Sequence, residues 1–81
     1  MARDTDRKII SEAVRLSGRW ASDWTGDLLH LTRRPHLQEC LVIRYGKAGQ
    51  IVAADHTWPG IRNGLITHKR ERVLAVIRAT R

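Results

Sequence analysis

Helical periodicity at both ends of an 81-residue chain and a glycine-bearing β-hairpin near its centre predict an α+β fold, ordered α-β-β-β-α. The expected architecture is two helices packed on one face of a three-stranded antiparallel meander. Residues 1–81 are expected to form one domain, because a chain this short buries only about 60% of the surface its unfolded form exposes. Multi-domain enzymes, large barrels and doubly wound nucleotide-binding sheets are excluded by size.

The first helix is expected from Thr5 to Trp20. At about 100° per residue, Ile9, Ile10, Ala13, Val14, Leu16, Ser17 and Trp20 fall on one side. Arg7, Lys8, Ser11, Glu12, Arg15 and Arg19 fall on the other. Asp4 or Thr5 serves as N-cap, and Gly18 weakens the last turn by roughly 1 kcal/mol relative to alanine, which makes it an alternative end for the helix.

Ala21 to Asp27 reads as a loop, since Ser22, Asp23, Thr25 and Gly26 are all turn formers. Leu28 to Arg33 is a short strand in which Leu29 and Leu31 alternate with His30 and Thr32. Pro35 then forces Arg34 out of helical geometry and turns the chain.

Glu39 to His56 carries the hairpin. Leu41 to Tyr45 and Ile51-Val52 are rich in β-branched residues, and Gly46 and Gly49 supply the loop between them. A four-residue loop sets Tyr45 against Gln50, Ile43 against Val52 and Leu41 against Ala54. That pairing gathers Leu41, Ile43, Tyr45, Val52 and Ala54 on the core face and leaves Val42, Ile51 and Ala53 opposite. Trp58 to Gly64 is a connector, and from about Thr67 the helical period returns with Val73 and Ile77 inward, Leu74 and Val76 flanking.

The charge is unevenly distributed. Up to Thr32 five cations meet five anions; from Arg33 onward ten meet three, which accounts for the whole +7. Twelve of the fifteen basic residues are arginine, whose planar fork suits phosphate oxygens and guanine edges. A GC-rich genome would also raise the arginine share, but it does not explain the asymmetry. A surface of one sign concentrates polyanions.

The leading expectation is therefore a small nucleic-acid-binding module, with DNA the expected target, of the regulator or accessory kind carried by phages and mobile elements. Phosphates would be neutralised by Arg62, Lys69, Arg70, Arg72 and Arg78, with Arg44 and Lys47 reaching a groove from the hairpin. The rival is a protein-binding adaptor or inhibitor that turns a basic face to an acidic partner. Self-association as a homodimer is expected beside it, from the apolar residues on both hairpin faces.

Trp24 and Trp58 stand in polar loops as candidate core closures, interface anchors or base-stacking platforms. His30, His36, His56 and His68 form no spaced ligand pair and Cys40 is the one thiol, so no metal or other cofactor is expected. Asp55-His56 has the residue types of an acid-base pair, yet strand neighbours point to opposite faces, and no enzyme activity is expected. No apolar run approaches the roughly 18 residues of a membrane span, and Met1 to Lys8 shows no secretion signal. With no disulfide framework, a cytoplasmic setting is expected.

Overall fold

The computed structural model describes residues 5–34, 39–59, 66–67 and 69–79. Its elements run α1 (Asp6–Ser17), β1 (Trp20–Thr25), β2 (Leu28–Arg33), β3 (Cys40–Tyr45), β4 (Ile51–Thr57), β5 (Ile66–Thr67) and α2 (Arg70–Arg78). The strands lie side by side in chain order, each antiparallel to the next. The α+β class holds. The expected strand count does not: β1 and the two-residue β5 extend the meander on either side of the three foreseen strands.

α1 is capped by Thr5, whose hydroxyl accepts from the backbone N–H of Lys8 at 3.2 Å. Gly18, at φ 67°, adopts the left-handed conformation that lets its N–H reach back to Val14 O at 3.3 Å. The helix therefore ends at Gly18, the weak point of the expected last turn, and not at Trp20. Ile10 and Ala13 are buried, but Leu16 is 70% exposed, so the apolar stripe is narrower than its periodicity implied.

Freed from α1, Trp20 opens β1, a strand where turn formers predicted a loop. Ser22, Asp23 and Thr25 are tolerated because an edge strand needs a partner on one side alone. The backbone pairing runs unbroken from Trp20↔Arg33 to Thr25↔Leu28. Trp20 is buried core as expected, but as a strand residue.

The hairpin register is the second correction. Leu41 lies opposite His56 and Ile43 opposite Ala54, and between Arg44 and Tyr45 the pairing shifts. Tyr45 opposes Ile51 and Arg44 opposes Ala53, which leaves Val52 as the extra residue of a bulge, 51% exposed. The bulge reverses two expected faces: Ile51 enters the core and Val52 leaves it. At the apex Gly46 N–H donates to Gln50 O at 2.8 Å, and Gly49 takes φ 79°.

α2 begins at Arg70 with Lys69 as N-cap, later than the expected Thr67, which is in β5. It buries Val73, Val76 and Ile77. Asp6 at the start of α1 meets Arg70 at the start of α2, and Arg19 beyond the end of α1 reaches the carbonyl of Arg78. The two helices thus run in the same direction. They close the core over the sheet face that carries Leu29, Leu31, Leu41, Ile43 and Tyr45. Among the described residues no helix is long and apolar enough to cross a membrane.

Candidate nucleic-acid interface

Two turns and two helix N-termini meet at one end of the sheet, here called the tip. Tyr45 N–H donates to Asp27 O in the β1–β2 turn at 3.0 Å, and Arg7 N–H donates to Gly49 O in the hairpin loop at 2.9 Å. Asp6 fastens the rest: one carboxylate oxygen accepts from Ile51 N–H at 3.2 Å, the other from the Arg70 guanidinium at 3.2 Å. Its position in the first turn of α1 also suits the positive end of that helix.

Five of the seven residues singled out from the sequence lie at the tip. Arg44 stands exposed near the end of β3, on the sheet face away from the helices, and Lys47 is exposed at the hairpin apex. Lys69 is the exposed N-cap of α2 and Arg72 is exposed in its first turn. Arg70 is half-buried, held by Asp6 and, at 3.9 Å, by Glu71. The cations that oppose the α2 dipole are thereby partly offset by two carboxylates. Arg78 sits at the other end of α2, exposed and lining a shallow groove with Lys8, Glu12 and Leu16. At about 100° per residue it is also about 120° around the helix from Arg72. Arg62 lies outside the described residues.

Arg7, from the half of the chain that is electrically neutral, belongs to the same end. Its guanidinium lies 4.3 Å from the centre of the Trp24 ring and 3.6 Å from the Asp27 carboxylate. Trp24 is 39% exposed and stacks on Tyr45 with ring centres 5.8 Å apart. Tyr45 is core, as its place on an apolar strand implied. Its hydroxyl is buried with no hydrogen-bond partner among the described residues, and burial pushes its ionisation well above the ordinary phenol value.

At the opposite end, called the base, arginines are turned inward. Arg33 Nε donates to Glu39 Oε1 at 2.6 Å, and Glu39 Oε2 lies 2.6 Å from His56 Nε2, all three side chains buried. Arg33 Nη2 donates to the carbonyls of Val76 and Ala79 at 3.3 and 3.1 Å, and Cζ lies 4.5 Å from the centre of the Trp20 ring. The Trp20 indole donates to Ile77 O at 3.0 Å, and Arg19 donates to Arg78 O at 3.3 Å. Three side chains therefore donate to the last carbonyls of α2, of which Val76 O also accepts from Ala79 N–H at 3.4 Å. Trp58 packs across His56 with ring centres 4.6 Å apart, closing this end.

Sequence reasoning missed this network because it depends on register. Arg33 and Glu39 are paired across β2 and β3, and Glu39 reaches His56 since Leu41 opposes His56. Asp55 and His56 do point to opposite faces, one exposed and one buried.

The sheet face away from the helices presents three rows of side chains. From the tip these are Thr25, Leu28, Arg44 and Ala53, then Asp23, His30, Val42 and Asp55, then Ala21, Thr32, Cys40 and Thr57. Leu28, Val42 and Cys40 are half-buried, and Arg44 shares the surface with Asp23 and Asp55. Trp20, Trp24 and Tyr45 all belong to the helix side.

No protein-family model matches the chain, and no curated protein or solved structure matches it. The fold and its charged end define a small α+β chain with a cation-rich pole.

Proposed function

We propose that the protein is a nucleic-acid-binding module, with DNA the expected target, that grips phosphates with its tip. Arg44, Lys47, Lys69, Arg70 and Arg72 make the contact, joined by Arg62 from the connector. The observation that supports this reading is the gathering of cations beside two parallel helix N-termini. Among the described residues, Arg7, Lys47, Lys69, Arg70 and Arg72 lie there with three carboxylates, Asp6, Asp27 and Glu71, while Arg44 stands at the same end on the far sheet face, which also carries Asp23 and Asp55. Both dipoles and the side chains attract anions to the same place. Arg78 drops out of the proposed contact, because it stands at the base. The role is that of a cytoplasmic regulator or accessory protein, of the phage or mobile-element kind.

Six phosphate contacts give a slope of about −5.4 for log affinity against log salt on duplex DNA. Binding to random DNA and RNA across a salt series measures it. Changing Arg72 and Lys47 together to glutamine lowers the magnitude of the slope by about 2, while Arg78→Gln leaves it unchanged. Absence of binding at low salt, or equal effects from the two ends, sinks the reading.

A second reading, a protein-binding adaptor, is favoured by the uncovered sheet face. Half-buried Leu28, Val42 and Cys40 between opposite charges suit a protein surface better than a phosphate backbone. Capture from nuclease-treated lysate separates the two: a partner lost on substituting Val42→Lys but kept in the Arg72/Lys47 variant belongs to this face.

A further inference from the structure

The outer edge of β1 offers a recognition surface whose geometry follows from hydrogen-bond parity. Arg34 N–H donates to Arg19 O at 2.8 Å, so in the β1–β2 register Ala21, Asp23 and Thr25 direct their backbone groups to β2. Trp20, Ser22 and Trp24 direct theirs outward. The next ladder agrees, since Arg33 N–H donates to Glu39 O at 2.9 Å and so turns the alternate residues of β2 toward β1. Trp20 O receives the Arg34 guanidinium at 3.0 Å, and a carbonyl has a second lone pair to offer. The outward N–H and C=O of Ser22 and Trp24 meet no partner among the described residues. β1 has no proline, lysine or bulge, the devices that ordinarily blunt such an edge.

We propose that β1 pairs antiparallel with β1 of a second copy of this chain, about a two-fold axis passing through Ser22. The pattern is self-complementary. Outward groups at Trp20, Ser22 and Trp24 are placed symmetrically about Ser22, so Ser22 pairs with its counterpart and Trp24 with Trp20 of the second copy. Asp23 then faces Ala21 of the second copy. The competing register, centred on Asp23, sets two carboxylates directly opposite each other, which is destabilising. Pairing about Ser22 also lays the exposed part of Trp24 beside a second tryptophan on the helix side, and it makes the two uncovered faces continuous. The contact is smaller than the roughly 800 Å² per partner of a standard interface, so the dimer is weak and concentration-dependent.

Sedimentation equilibrium from about 1 μM to about 1 mM tests the pairing. The wild-type mass rises toward twice the 9.3 kDa chain mass. Ser22→Pro removes an outward N–H and none that bonds β2, so it stays at single-chain mass with an unchanged urea midpoint. A second measurement does not depend on that variant folding. In a Cys40→Ser background, Ser22→Cys forms a covalent dimer on mild oxidation, because the paired Cα atoms lie about 5.5 Å apart. Asp23→Cys does so far more slowly, its symmetry mate being a diagonal neighbour at about 7–8 Å. A wild type that keeps single-chain mass throughout, a folded Ser22→Pro that still dimerises, or faster cross-linking through Asp23→Cys each overturns the proposal.

Discussion

The two ends of the sheet treat arginine in opposite ways. At the base Arg33 is buried against Glu39, two helix carbonyls and a tryptophan ring, and Arg19 and Arg34 also donate to main-chain carbonyls. At the tip Arg44 and Arg72 stand in solvent, and Arg70 and Arg7 are held by carboxylates that water still reaches. The same side chain is a structural tie in one place and a candidate ligand contact in the other. What separates them is the local supply of acceptors. The C-terminus of α2 presents unpaired carbonyls and the N-termini present N–H groups, so guanidinium groups are drawn inward at one end alone.

The largest effect that can break this comparison is at Glu39. Glu39→Ala leaves Arg33 buried without its carboxylate, with an expected cost of about 3–5 kcal/mol. That is a large fraction of a small chain's stability. Arg70→Ala at the tip should cost less than about 1 kcal/mol, because water screens the pair it makes. Urea midpoints compare the two, and equal losses would erase the distinction between the ends.

Within the tip, the two turns differ in how firmly they are packed. A Cβ on Gly49 would lie 2.8 Å from Thr5 Cβ, whereas one on Gly26 would meet open space; φ is positive at both, 79° and 60°. Gly49→Ala should therefore cost about 2 kcal/mol or more, and Gly26→Ala about 1 kcal/mol from conformation alone. Thermal denaturation of the two variants sharpens the picture of a tip anchored to α1 through the hairpin loop. Equal shifts would remove Thr5 from it.

The smallest expected effect is at Tyr45. Its buried hydroxyl has no partner among the described residues, so Tyr45→Phe should be neutral or stabilising by up to about 1 kcal/mol at neutral pH. The folded chain holds the phenol proton beyond the ordinary value of 10.0. Stability is then constant below that pH and falls above it, where the unfolded chain releases the proton first. Tyr45→Phe should flatten this alkaline fall. A wild type whose urea midpoint is level through pH 11 would show that the hydroxyl is not shielded.

Much of the fold is legible along the chain. Ile10, Ala13, Val73 and Ile77 declare the inner faces of the two helices by their spacing, Thr5 and Gly18 mark the ends of α1, and Gly46 and Gly49 mark the hairpin. β1 is hidden because its edge position removes the alternation that identifies a half-buried strand: four of its six residues are exposed. The face of Ile51 is hidden because one bulge residue exchanges it with Val52. Leu16 carries the right period, yet no element among the described residues covers it.

Local chemistry in the chain dictates the helices, the hairpin and an excess of arginine in the second half. These follow from backbone preferences and from side chains a few positions apart. The assembled sheet alone decides which arginines meet water. Arg33 is buried because β-pairing brings Glu39 beside it and α2 sets its terminal carbonyls within reach. Arg44, eleven residues further on, is left facing solvent, since among the described residues no helix covers that side of the sheet.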